Sequence, residues 1–203
     1  MNMKERMLSG LPYRGFDDVL DKERFNAQKA VYEINTLPPE RYSELSGMFK
    51  KLFGKTGEVI GITPPFRCDY GYNIEVGENF YANYNLTILD VGKVKIGKNV
   101  MIAPNVSIYT AGHPLHPDSR NSGYEYGIPV TIGDNVWIGG SVTIVPDVHI
   151  GNNVVIGAGS VVTKDIPDNA VAVGNPCRVI RFITGEDRKY YFKNREFDVE
   201  DYR

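Results

Sequence analysis

The chain contains the stretch IGKNVMIAPNVSI (96–108) and, after an interruption, the stretch IGDNVWIGGSVTIVPDVHIGNNVVIGAGSVV (132–162). An aliphatic residue recurs at every sixth position of both stretches, at Ile96, Ile102, Ile108, Ile132, Ile138, Ile144, Ile150, Ile156 and Val162. A helix would repeat near 3.6 residues and a flat strand at two, so a period of six fits neither. It indicates a coil of short strands in which each unit turns one aliphatic side chain inward.

This period is typical of a parallel β-helix built from hexapeptide repeats. Each unit forms one flat side, three units close a triangular turn, and the turns stack at roughly 4.8 Å. A small residue usually follows the aliphatic one, at Gly97, Ala103, Gly133, Gly139, Gly151 and Gly157. We expect the chain to turn a corner at these residues and at Asn99, Asn135 and Asn153, because Gly and Asn accept unusual φ angles. Strands of a sandwich do not keep a six-residue register over so many units.

Bulk properties exclude several classes of protein. The chain has 203 residues and a net charge of −2, and its basic residues form no run that could follow a phosphate backbone, so we expect no nucleic-acid partner. Two cysteines are too few for a disulfide framework and suggest a reducing, cytoplasmic location. The N-terminus MNMKERMLSG has no apolar signal region, and no apolar run reaches about 18 residues, so we expect no membrane partner.

The pattern divides the chain into a helical segment (1–57), the coil (58–183) and a tail (184–203). The first segment predicts a short helix closed by Gly10, a helix from Val19 to about Asn35 capped by Asp17 or Asp18, and a helix that starts at Pro39 or Glu40. The partly apolar face of the second helix is expected to consist of Leu20, Phe25, Val31, Tyr32 and Ile34. We expect one entry strand over 58–66, a coil that starts loosely at Ile74, and a tail that holds a short, frayed helix.

The repeat is broken once, by HPLHPDSRNSGYEYGIP (113–129). This polar segment predicts a loop that leaves one corner of the coil, and exposed loops on a rigid scaffold are a common place for function. It contains two of the three histidines, and His113 lies where the loop leaves the coil. We interpret His116 as a loop residue and His149 as a coil-surface residue.

Several motifs together resemble the hexapeptide-repeat sugar O-acetyltransferases, the maltose, galactoside and nodulation-type enzymes. The motifs are TAGHPLHPDSR followed by EYG-IP, the opening MLSGLPY, FRCDYGYNI, NFYANYN, IGDNVWIGG, VVTKDIP and GNPCRVI. They cover nearly the whole chain, and the helical segment is that of the maltose acetyltransferase branch. The resemblance implies a left-handed coil, acetyl-CoA as co-substrate, no metal, and transfer of an acetyl group to a sugar hydroxyl.

The resemblance implies that His113 is the general base, and a neutral imidazole suits removal of a proton from an attacking alcohol. Pro114 restricts His113 to extended conformations. The other ring nitrogen needs a partner, for which Glu125 and a loop carbonyl are the candidates. Since no residue resembles an acyl carrier and Cys68 reads as a packing thiol, we expect direct transfer in a ternary complex. The Gly140 N–H is the implied donor to the oxyanion.

By the same resemblance, two further sets of residues bind the substrates. The acceptor set is Asp69, Tyr81, Asn83 and Arg24. Asp17 is a possible substitute for an acceptor-binding Asp that the galactoside branch has at the position of Gly15, which favours glucosyl over lactose-like sugars. The acetyl-CoA set is Trp137, Gly140, Ala158, Thr163, Lys164, Arg178 and Arg181, of which the three cations would pair with phosphates.

The resemblance also implies a homotrimer with active sites between subunits, with His113 from one chain and Asp69 and Asn83 from the next. An acetyltransferase for another hydroxyl acceptor, such as an antibiotic, is the nearest alternative, although that type usually lacks the helical segment. A γ-carbonic anhydrase needs three histidine ligands, and the spacing of His113, His116 and His149 does not resemble its pattern. A non-catalytic scaffold would not need the histidine-bearing loop. The sequence does not name the physiological acceptor.

Overall fold

A triangular coil of short parallel strands forms the body of the protein, of which the computed structural model describes residues 1–199 and Asp201. The strands are, in chain order, β1 (Tyr13–Arg14), β2 (Ile60–Ile62), β3 (Phe66–Cys68), β4 (Ile74–Val76), β5 (Phe80–Ala82), β6 (Leu86–Leu89), β7 (Val94–Ile96), β8 (Met101–Ile102), β9 (Ser107–Tyr109), β10 (Ala111–Gly112), β11 (Tyr124–Gly127), β12 (Val130–Ile132), β13 (Trp137–Ile138), β14 (Thr143–Ile144), β15 (His149–Ile150), β16 (Val155–Ile156), β17 (Val161–Val162), β18 (Ala170–Val173), β19 (Arg178–Phe182), β20 (Tyr190–Phe192) and β21 (Arg195–Glu196).

Successive strands of the coil join three different sheets in strict rotation. The four-stranded face has the order β15-β12-β7-β4, the seven-stranded face β19-β18-β16-β13-β8-β5-β2 and the five-stranded face β17-β14-β9-β6-β3. All neighbours within these faces are parallel except β18 and β19. The predicted fold class, a mainly β parallel helix with a helical N-terminal segment and a protruding loop, is confirmed.

The aliphatic ladder fills the coil, as the six-residue period predicts. Its nine members, from Ile96 to Val162, are each at most 4% exposed. The valines four residues after most of them, such as Val100 and Val136, are buried as well. Each repeat therefore places two aliphatic side chains inside the prism, and removal of this apolar surface from water stabilises the coil.

Asparagines at the edge between the four- and seven-stranded faces adopt the left-handed backbone conformation. Their φ angles lie between +56° and +59°, at Asn79, Asn99, Asn135, Asn153 and Asn169. The amide Nδ2 of each of the first four donates a hydrogen bond to the Oδ1 of the asparagine in the next turn, at 2.9 to 3.0 Å. The expectation that these asparagines turn the corners is confirmed.

The small residues that follow the ladder residues were expected to turn the corners through unusual φ angles, but they have a different role. Gly97, Gly133 and Gly139 are not in the left-handed region, so unusual φ angles do not explain them. A Cβ on Gly97 would lie 2.6 Å from the carbonyl carbon of Gly133, and one on Gly139 would lie 2.6 Å from the Ala158 nitrogen. Glycine is required here because adjacent turns of the backbone approach too closely for a side chain.

The coil begins a full turn earlier than the repeat suggested. β2 pairs with β5 and β3 pairs with β6, both in parallel, so residues before Ile74 already form two sides of a turn. The single entry strand predicted for 58–66 is therefore wrong. The early turns escaped the pattern because Cys68 and Ala82 occupy the positions in register with the ladder residues Ile108 and Ile102. Phe66 and Phe80 are also buried, but they lie two residues earlier in their strands.

The N-terminal helices pack against the first strands of the coil. They are α1 (Met3–Leu8), α2 (Asp18–Asn35), a 3-10 helix (Pro39–Glu44) and α3 (Leu45–Leu52), with α4 (Pro117–Asn121) in the loop and a further 3-10 helix (Gly185–Arg188) in the tail. Asp17 caps α2 through hydrogen bonds that its Oδ1 accepts from the N–H groups of Val19 and Leu20. Phe49 of α3 packs against Phe53 and Phe66, which joins this segment to the coil core.

Three expectations for the flanking segments need correction. Phe25 and Tyr32, assigned to the apolar face of α2, are 61% and 70% exposed, whereas Leu20, Val31 and Ile34 are buried. The helix predicted from Pro39 starts as a 3-10 turn. In the tail, the helical turn is followed by a hairpin of β20 and β21 that local polarity did not reveal.

The boundaries at 57 and 183 stay predictions. No helix among the described residues is long and apolar enough to cross a membrane.

Candidate active site

The candidate residues fall on two different edges of the prism. The edge between the five- and four-stranded faces, here called the His113 edge, carries the end of β3 at Asp69, the loop after β9 and the end of β17. The edge between the seven- and five-stranded faces, here called the Gly140 edge, carries Asn83 and Gly140. Because the chain rotates through the faces in fixed order, these two groups lie on different edges of a single chain.

The protruding loop is a braced hairpin rather than a free excursion. β10 and β11 pair antiparallel, and β11 also pairs with β1 from the N-terminal segment, with Tyr13 opposite Glu125. His113 directly follows β10, one residue beyond the pair Gly112–Tyr126. This register brings the side chains of His113 and Glu125 to the same place. Inside the loop, Arg120 donates hydrogen bonds to the carbonyls of Pro114 and Leu115 and fixes its tip.

Tyr13, Glu125 and His113 form a line of polar side chains. The Tyr13 hydroxyl donates a 2.5 Å hydrogen bond to Glu125 Oε1. Glu125 Oε2 lies 3.9 Å from His113 Nε2, within the range of an ion pair if the imidazole is protonated. The His113 side chain is 57% exposed and that of Glu125 is 20% exposed. Burial, and next the hydrogen-bonded Glu125 carboxylate, raise the pKa of Tyr13, so its hydroxyl stays a donor that holds Glu125 in place.

His113 opens onto a cleft of about 560 Å³. The lining residues are Gly15, Phe16, Arg24, Asp69, Leu89, Val91, Ala111, His113, Arg120, Gly123 and Glu125. Two guanidinium groups, two carboxyl groups and an imidazole thus converge beside apolar walls. This combination suits a polyhydroxylated ligand, whose hydroxyls both donate and accept hydrogen bonds.

Arg24 of α2 is held rigidly in the cleft. It donates hydrogen bonds to the Tyr70 hydroxyl at 2.9 Å and to the Gly15 carbonyl at 2.6 Å, and it pairs with Asp21. Its guanidinium also lies over the Tyr70 ring, 5.8 Å from the centroid. The helical segment therefore supplies a fixed positive charge to the coil, as the resemblance implied.

Asp69 is a carboxyl group of the cleft whose pKa is perturbed by its surroundings. Burial first, and then the neighbouring Asp90 carboxyl, raise the pKa of Asp69 to about 6, while Arg24 opposes the rise. Perturbed carboxyl groups in a cleft are candidates for function, because the cost of burying them has to be offset by a role. Cys68, next to Asp69, is half-buried, and its desolvation raises the pKa of the thiol. That thiol is therefore held in its un-ionised, poorly nucleophilic form.

Three proposed acceptor residues lie outside this cleft. Tyr81 is on β5 and Asn83 follows it, so both belong to the Gly140 edge. The Asn83 Oδ1 accepts a hydrogen bond from the Tyr84 N–H at 2.7 Å. Asp17 uses its Oδ1 to cap α2 and does not line the cleft. Their roles in acceptor binding stay predictions.

The Gly140 edge presents main-chain donors in successive turns. On the asparagine edge the equivalent N–H groups are satisfied, since Lys98, Asp134 and Asn152 donate to the Asp or Asn side chain of the next turn. Among residues 1–199, no acceptor lies within hydrogen-bond distance of the Gly140 N–H or the Ala158 N–H. These donors are free to meet a ligand.

An apolar ladder flanks the same edge on the seven-stranded face. Trp137 pairs in register with Met101, and Met101 pairs with Tyr81. Their side chains are 51%, 54% and 43% exposed. Together with the free N–H groups they form a surface suited to a long, partly apolar ligand.

The other acetyl-CoA candidates lie along the C-terminal end of the coil. Thr163 and Lys164 are exposed and follow β17, which places them on the His113 edge. Arg178 and Arg181 are on β19, which extends the seven-stranded face. Arg181 already pairs with Asp187, with nitrogen–oxygen distances of 2.8 and 3.0 Å. A phosphate would have to compete with that carboxylate, so Lys164 and Arg178 are more accessible cations.

The structure also identifies contributors that sequence reasoning missed. Tyr13 and Tyr70 brace Glu125 and Arg24, and Asp90 is fully buried beside Asp69. One signal of Asp90 was present in the sequence. A carboxylate between aliphatic residues is unusual, and Asp90 lies near Gly92, where the six-residue repeat is out of register. The tyrosines left none, since an aromatic residue in a turn has many ordinary roles.

One expectation about assembly is wrong. Asp69 was expected to meet His113 only across a subunit boundary, but both line the same cleft of one chain. The cause is the rotation of the coil, because β3 and β9 share the five-stranded face and both end on the His113 edge. Within the described residues, no group of three or more His, Cys, Asp or Glu side chains could hold a metal ion.

Comparison with known proteins places the chain in a family. The pattern of the maltose acetyltransferase hexapeptide capping motif matches residues 6–57, and that of the bacterial transferase hexapeptide (six repeats) matches residues 129–164. The galactoside O-acetyltransferase of Escherichia coli (strain K12) is 48% identical over 194 residues, which cover 96% of each chain.

Two solved structures agree closely with the fold. A maltose O-acetyltransferase from Clostridium difficile 630 is 58% identical, with a TM-score of 0.90 over 91% of this chain and 98% of that one. A galactoside acetyltransferase in complex with coenzyme A is 47% identical, with a TM-score of 0.94 over 98% of this chain and 100% of that one. The chain therefore belongs to the maltose and galactoside O-acetyltransferase family of hexapeptide-repeat proteins and is an acetyltransferase.

Proposed function

We propose that the protein transfers the acetyl group of acetyl-CoA to a hydroxyl of a sugar, with His113 as the general base. The observation that carries this proposal is the line of Tyr13, Glu125 and His113 above a cleft that also contains Asp69 and Arg24. The coenzyme A complex of a relative with a TM-score of 0.94 supports acetyl-CoA as the donor. No metal takes part in the steps proposed here.

The chemistry begins with loss of a proton. The sugar hydroxyl attacks the thioester carbon while His113 takes its proton, and the negative charge moves to the carbonyl oxygen. Glu125, 3.9 Å from His113 Nε2, stabilises the imidazolium that forms. The tetrahedral intermediate then expels the coenzyme A sulfur, which takes the proton from His113. General-base catalysis of this kind is typically worth 10²–10⁴-fold.

Transfer is direct, without an acyl-enzyme. Cys68 is the nearest thiol to Asp69 in sequence, but it does not line the cleft and its raised pKa keeps it un-ionised. The acceptor instead lies between Asp69, which accepts hydrogen bonds, and Arg24, which donates them. Acetyl-CoA and acceptor must therefore be bound together.

The site is completed by a neighbouring subunit. The oxyanion needs a donor, and the free Gly140 N–H is the candidate, but it lies on a different edge from His113. A closed cyclic homotrimer sets the His113 edge of one prism against the Gly140 edge of the next. Tyr81, Asn83, Trp137, Gly140 and Ala158 then come from one chain, and His113, Asp69, Arg24, Thr163 and Lys164 from the other. Arg178 and Arg181 would complete the phosphate site.

Residue 15 favours a glucosyl acceptor. A Cβ on Gly15 would lie 2.6 Å from Glu125 Oε1, so an aspartate at this position would require the Glu125 side chain to move away from its hydrogen bond with Tyr13. The Asp of the galactoside pattern and Glu125 would therefore compete for the same space, and in this chain Glu125 is the group that faces His113. A cytoplasmic location stays a prediction, based on the two free thiols.

The test begins with acetyl-CoA and a panel of acceptors, followed by release of the free thiol. We expect turnover with glucose or maltose, less with galactosides, and little with hydroxylated antibiotics. His113→Ala should lower kcat by about 10²–10⁴-fold and leave acetyl-CoA binding intact.

His149→Ala is the matched control, because His149 is an exposed histidine on the coil surface. It should keep the unmodified kcat within about twofold. A His113→Ala variant that retains more than half of the kcat would disprove the role of His113 as base. Turnover only with antibiotics would disprove the sugar as acceptor.

A further inference from the structure

Asp90 has a carboxyl group buried completely within the protein, and this burial raises the pKa of that group. It follows β6 on the His113 edge and is 0% exposed. Its Oδ1 accepts hydrogen bonds from the N–H groups of Asp69 and Tyr70, both at 2.9 Å. Its Oδ2 has no hydrogen-bond partner among the described residues. A carboxyl group in such a position is costly, so a compensating role is expected.

The turn that Asp90 holds carries one residue of the cleft and one residue that contacts Arg24 of the cleft. Asp69 lines the cleft itself, and the Tyr70 hydroxyl accepts a hydrogen bond from Arg24. The next residue, Gly71, has a φ of +78°, and a Cβ there would lie 2.7 Å from the Leu52 carbonyl oxygen. The turn is therefore tight. The end of α3 packs closely against Gly71, and Asp90 accepts hydrogen bonds from the two preceding residues.

We propose that Asp90 is a positioning residue for the acceptor, which fastens the turn of residues 69–71 through main-chain hydrogen bonds and places a second carboxyl group beside Asp69. This assignment rests on the proposed function, in which Asp69 and Arg24 bind the acceptor. Asp90 does not touch the acceptor; it acts through Asp69 and through the contact between Tyr70 and Arg24.

The second carboxyl group has an electrostatic consequence. The groups that act on Asp69 are Asp90 after β6, Arg24 on α2 and Glu125 on β11. After burial, Asp90 is the largest cause of the raised pKa of Asp69, and Arg24 acts in the opposite direction. Removal of the Asp90 charge should therefore lower the pKa of Asp69. Since ionised Asp69 accepts hydrogen bonds from the acceptor, binding would then persist to a lower pH.

The first test compares two substitutions of Asp90. Asp90→Leu removes both the charge and the acceptor oxygen, whereas Asp90→Asn keeps an oxygen for the two N–H groups. We expect Asp90→Leu to raise the acceptor KM by about 10- to 100-fold, since small misplacements of binding groups are costly, and to leave the acetyl-CoA KM within about twofold. Asp90→Asn should show at most a few-fold rise.

Asn35→Ala is the matched control for a purely structural loss. The Asn35 side chain exchanges two hydrogen bonds with the main chain of Phe66, so it anchors the start of β3 just as Asp90 anchors the turn after it. We expect Asn35→Ala to lower the Tm without changing the acceptor KM. A folded Asp90→Leu protein with an unchanged acceptor KM, or equal effects of Leu and Asn, would overturn the proposal.

Two readouts separate this proposal from the proposed function. Amide hydrogen exchange at Asp69 and Tyr70 needs no acceptor, and it should be at least tenfold faster in Asp90→Leu than in Asp90→Asn. The pH dependence of acceptor binding is measured with coenzyme A present in a His113→Gln background, so that the histidine does not titrate.

In that background, Asp90→Asn should shift the loss of acceptor binding to lower pH by half a unit or more. If Asp90→Leu fails to fold, this shift decides the matter, and an unchanged pH dependence refutes the proposal. Failure of the proposed function would give a different result. The unmodified protein would acetylate no sugar, while the amide exchange rates of Asp69 and Tyr70 would still depend on the residue at position 90.

Discussion

The Asp69 carboxyl group shows how one residue can serve binding at a cost in stability. Its pKa is raised to about 6 by burial and by Asp90, whereas an unfolded chain would return it to the ordinary value near 3.8. Between these two values the folded protein binds more protons than the unfolded chain, so stability rises as the pH falls through this window. Above pH 6 the ionised form is destabilising.

We therefore predict that Asp69→Asn raises the Tm at pH 7.5, because it removes the buried charge. A gain of about 1 kcal/mol would correspond to roughly 2–4 °C in a protein of this size. The difference from the unmodified protein should shrink at pH 5. The acceptor KM should rise at the same time. Thermal unfolding at both pH values measures the first effect, and steady-state kinetics the second.

Asp118→Asn provides the control for this experiment. The Asp118 side chain is 90% exposed in the loop, so its replacement should leave the Tm unchanged at either pH. Equal Tm values for Asp69→Asn and the unmodified protein at pH 7.5 would contradict the account of Asp69 as a destabilising buried charge.

At the scale of elements, the close stacking of turns imposes a side-chain limit at the edges. A Cβ on Gly97 would lie 2.6 Å from both the carbonyl carbon and the oxygen of Gly133. These contacts are to main chain in the next turn, which cannot move without breaking the parallel ladder. The requirement for glycine thus comes from packing between turns rather than from the conformation of the residue itself.

Gly97→Ala should therefore destabilise the protein by about 1–3 kcal/mol, the usual cost of forcing an extra carbon into a packed region. Gly47→Ala is the matched control, since Gly47 lies within α3 and a Cβ there would meet nothing within 4 Å. That substitution should stabilise the helix by about 0.5–1 kcal/mol. Chemical denaturation measures both, and a neutral Gly97→Ala would refute the packing argument.

At the scale of the whole molecule, the two candidate half-sites occupy different edges of the prism. His113 and Asp69 share one edge, whereas Asn83 and Gly140 share another. If a neighbouring subunit joins these edges, a mixture of differently inactivated chains should regain activity. The pairing that regains it identifies which residues share a chain.

We predict that His113→Ala and Asn83→Ala, refolded together, recover a minor but clear fraction of the activity. In a mixed trimer, one interface of the three pairs an intact His113 with an intact Asn83, assuming cyclic symmetry. His113→Ala with Asp69→Ala should stay inactive, because both residues belong to the same half-site. Mixed assemblies must be shown to form, for instance by differential tagging. Recovery by the second pair instead of the first would contradict the arrangement.

The sequence by itself determined the architecture, because every turn of a β-helix requires the same types of residue at the same positions. The aliphatic residue at every sixth position predicted the coil, the asparagines predicted its corners, and the break at 113–129 predicted the loop. These local patterns recur along the chain because equivalent positions in successive turns pack in the same way. The family motifs named Arg24, Asp69 and His113 as site residues but assigned Asp69 and His113 to different chains, whereas all three line one cleft of a single chain.

Only the tertiary structure decided what surrounds these residues. The contacts of Glu125 with Tyr13 and of Asp90 with residues 69–71 join segments 112 and about 20 positions apart, and no local pattern encodes such distances. The first turn of the coil was hidden because Cys68 interrupts the aliphatic ladder there. The division of the candidate site between two edges depends on which face each strand joins, and that follows from the rotation of the whole coil.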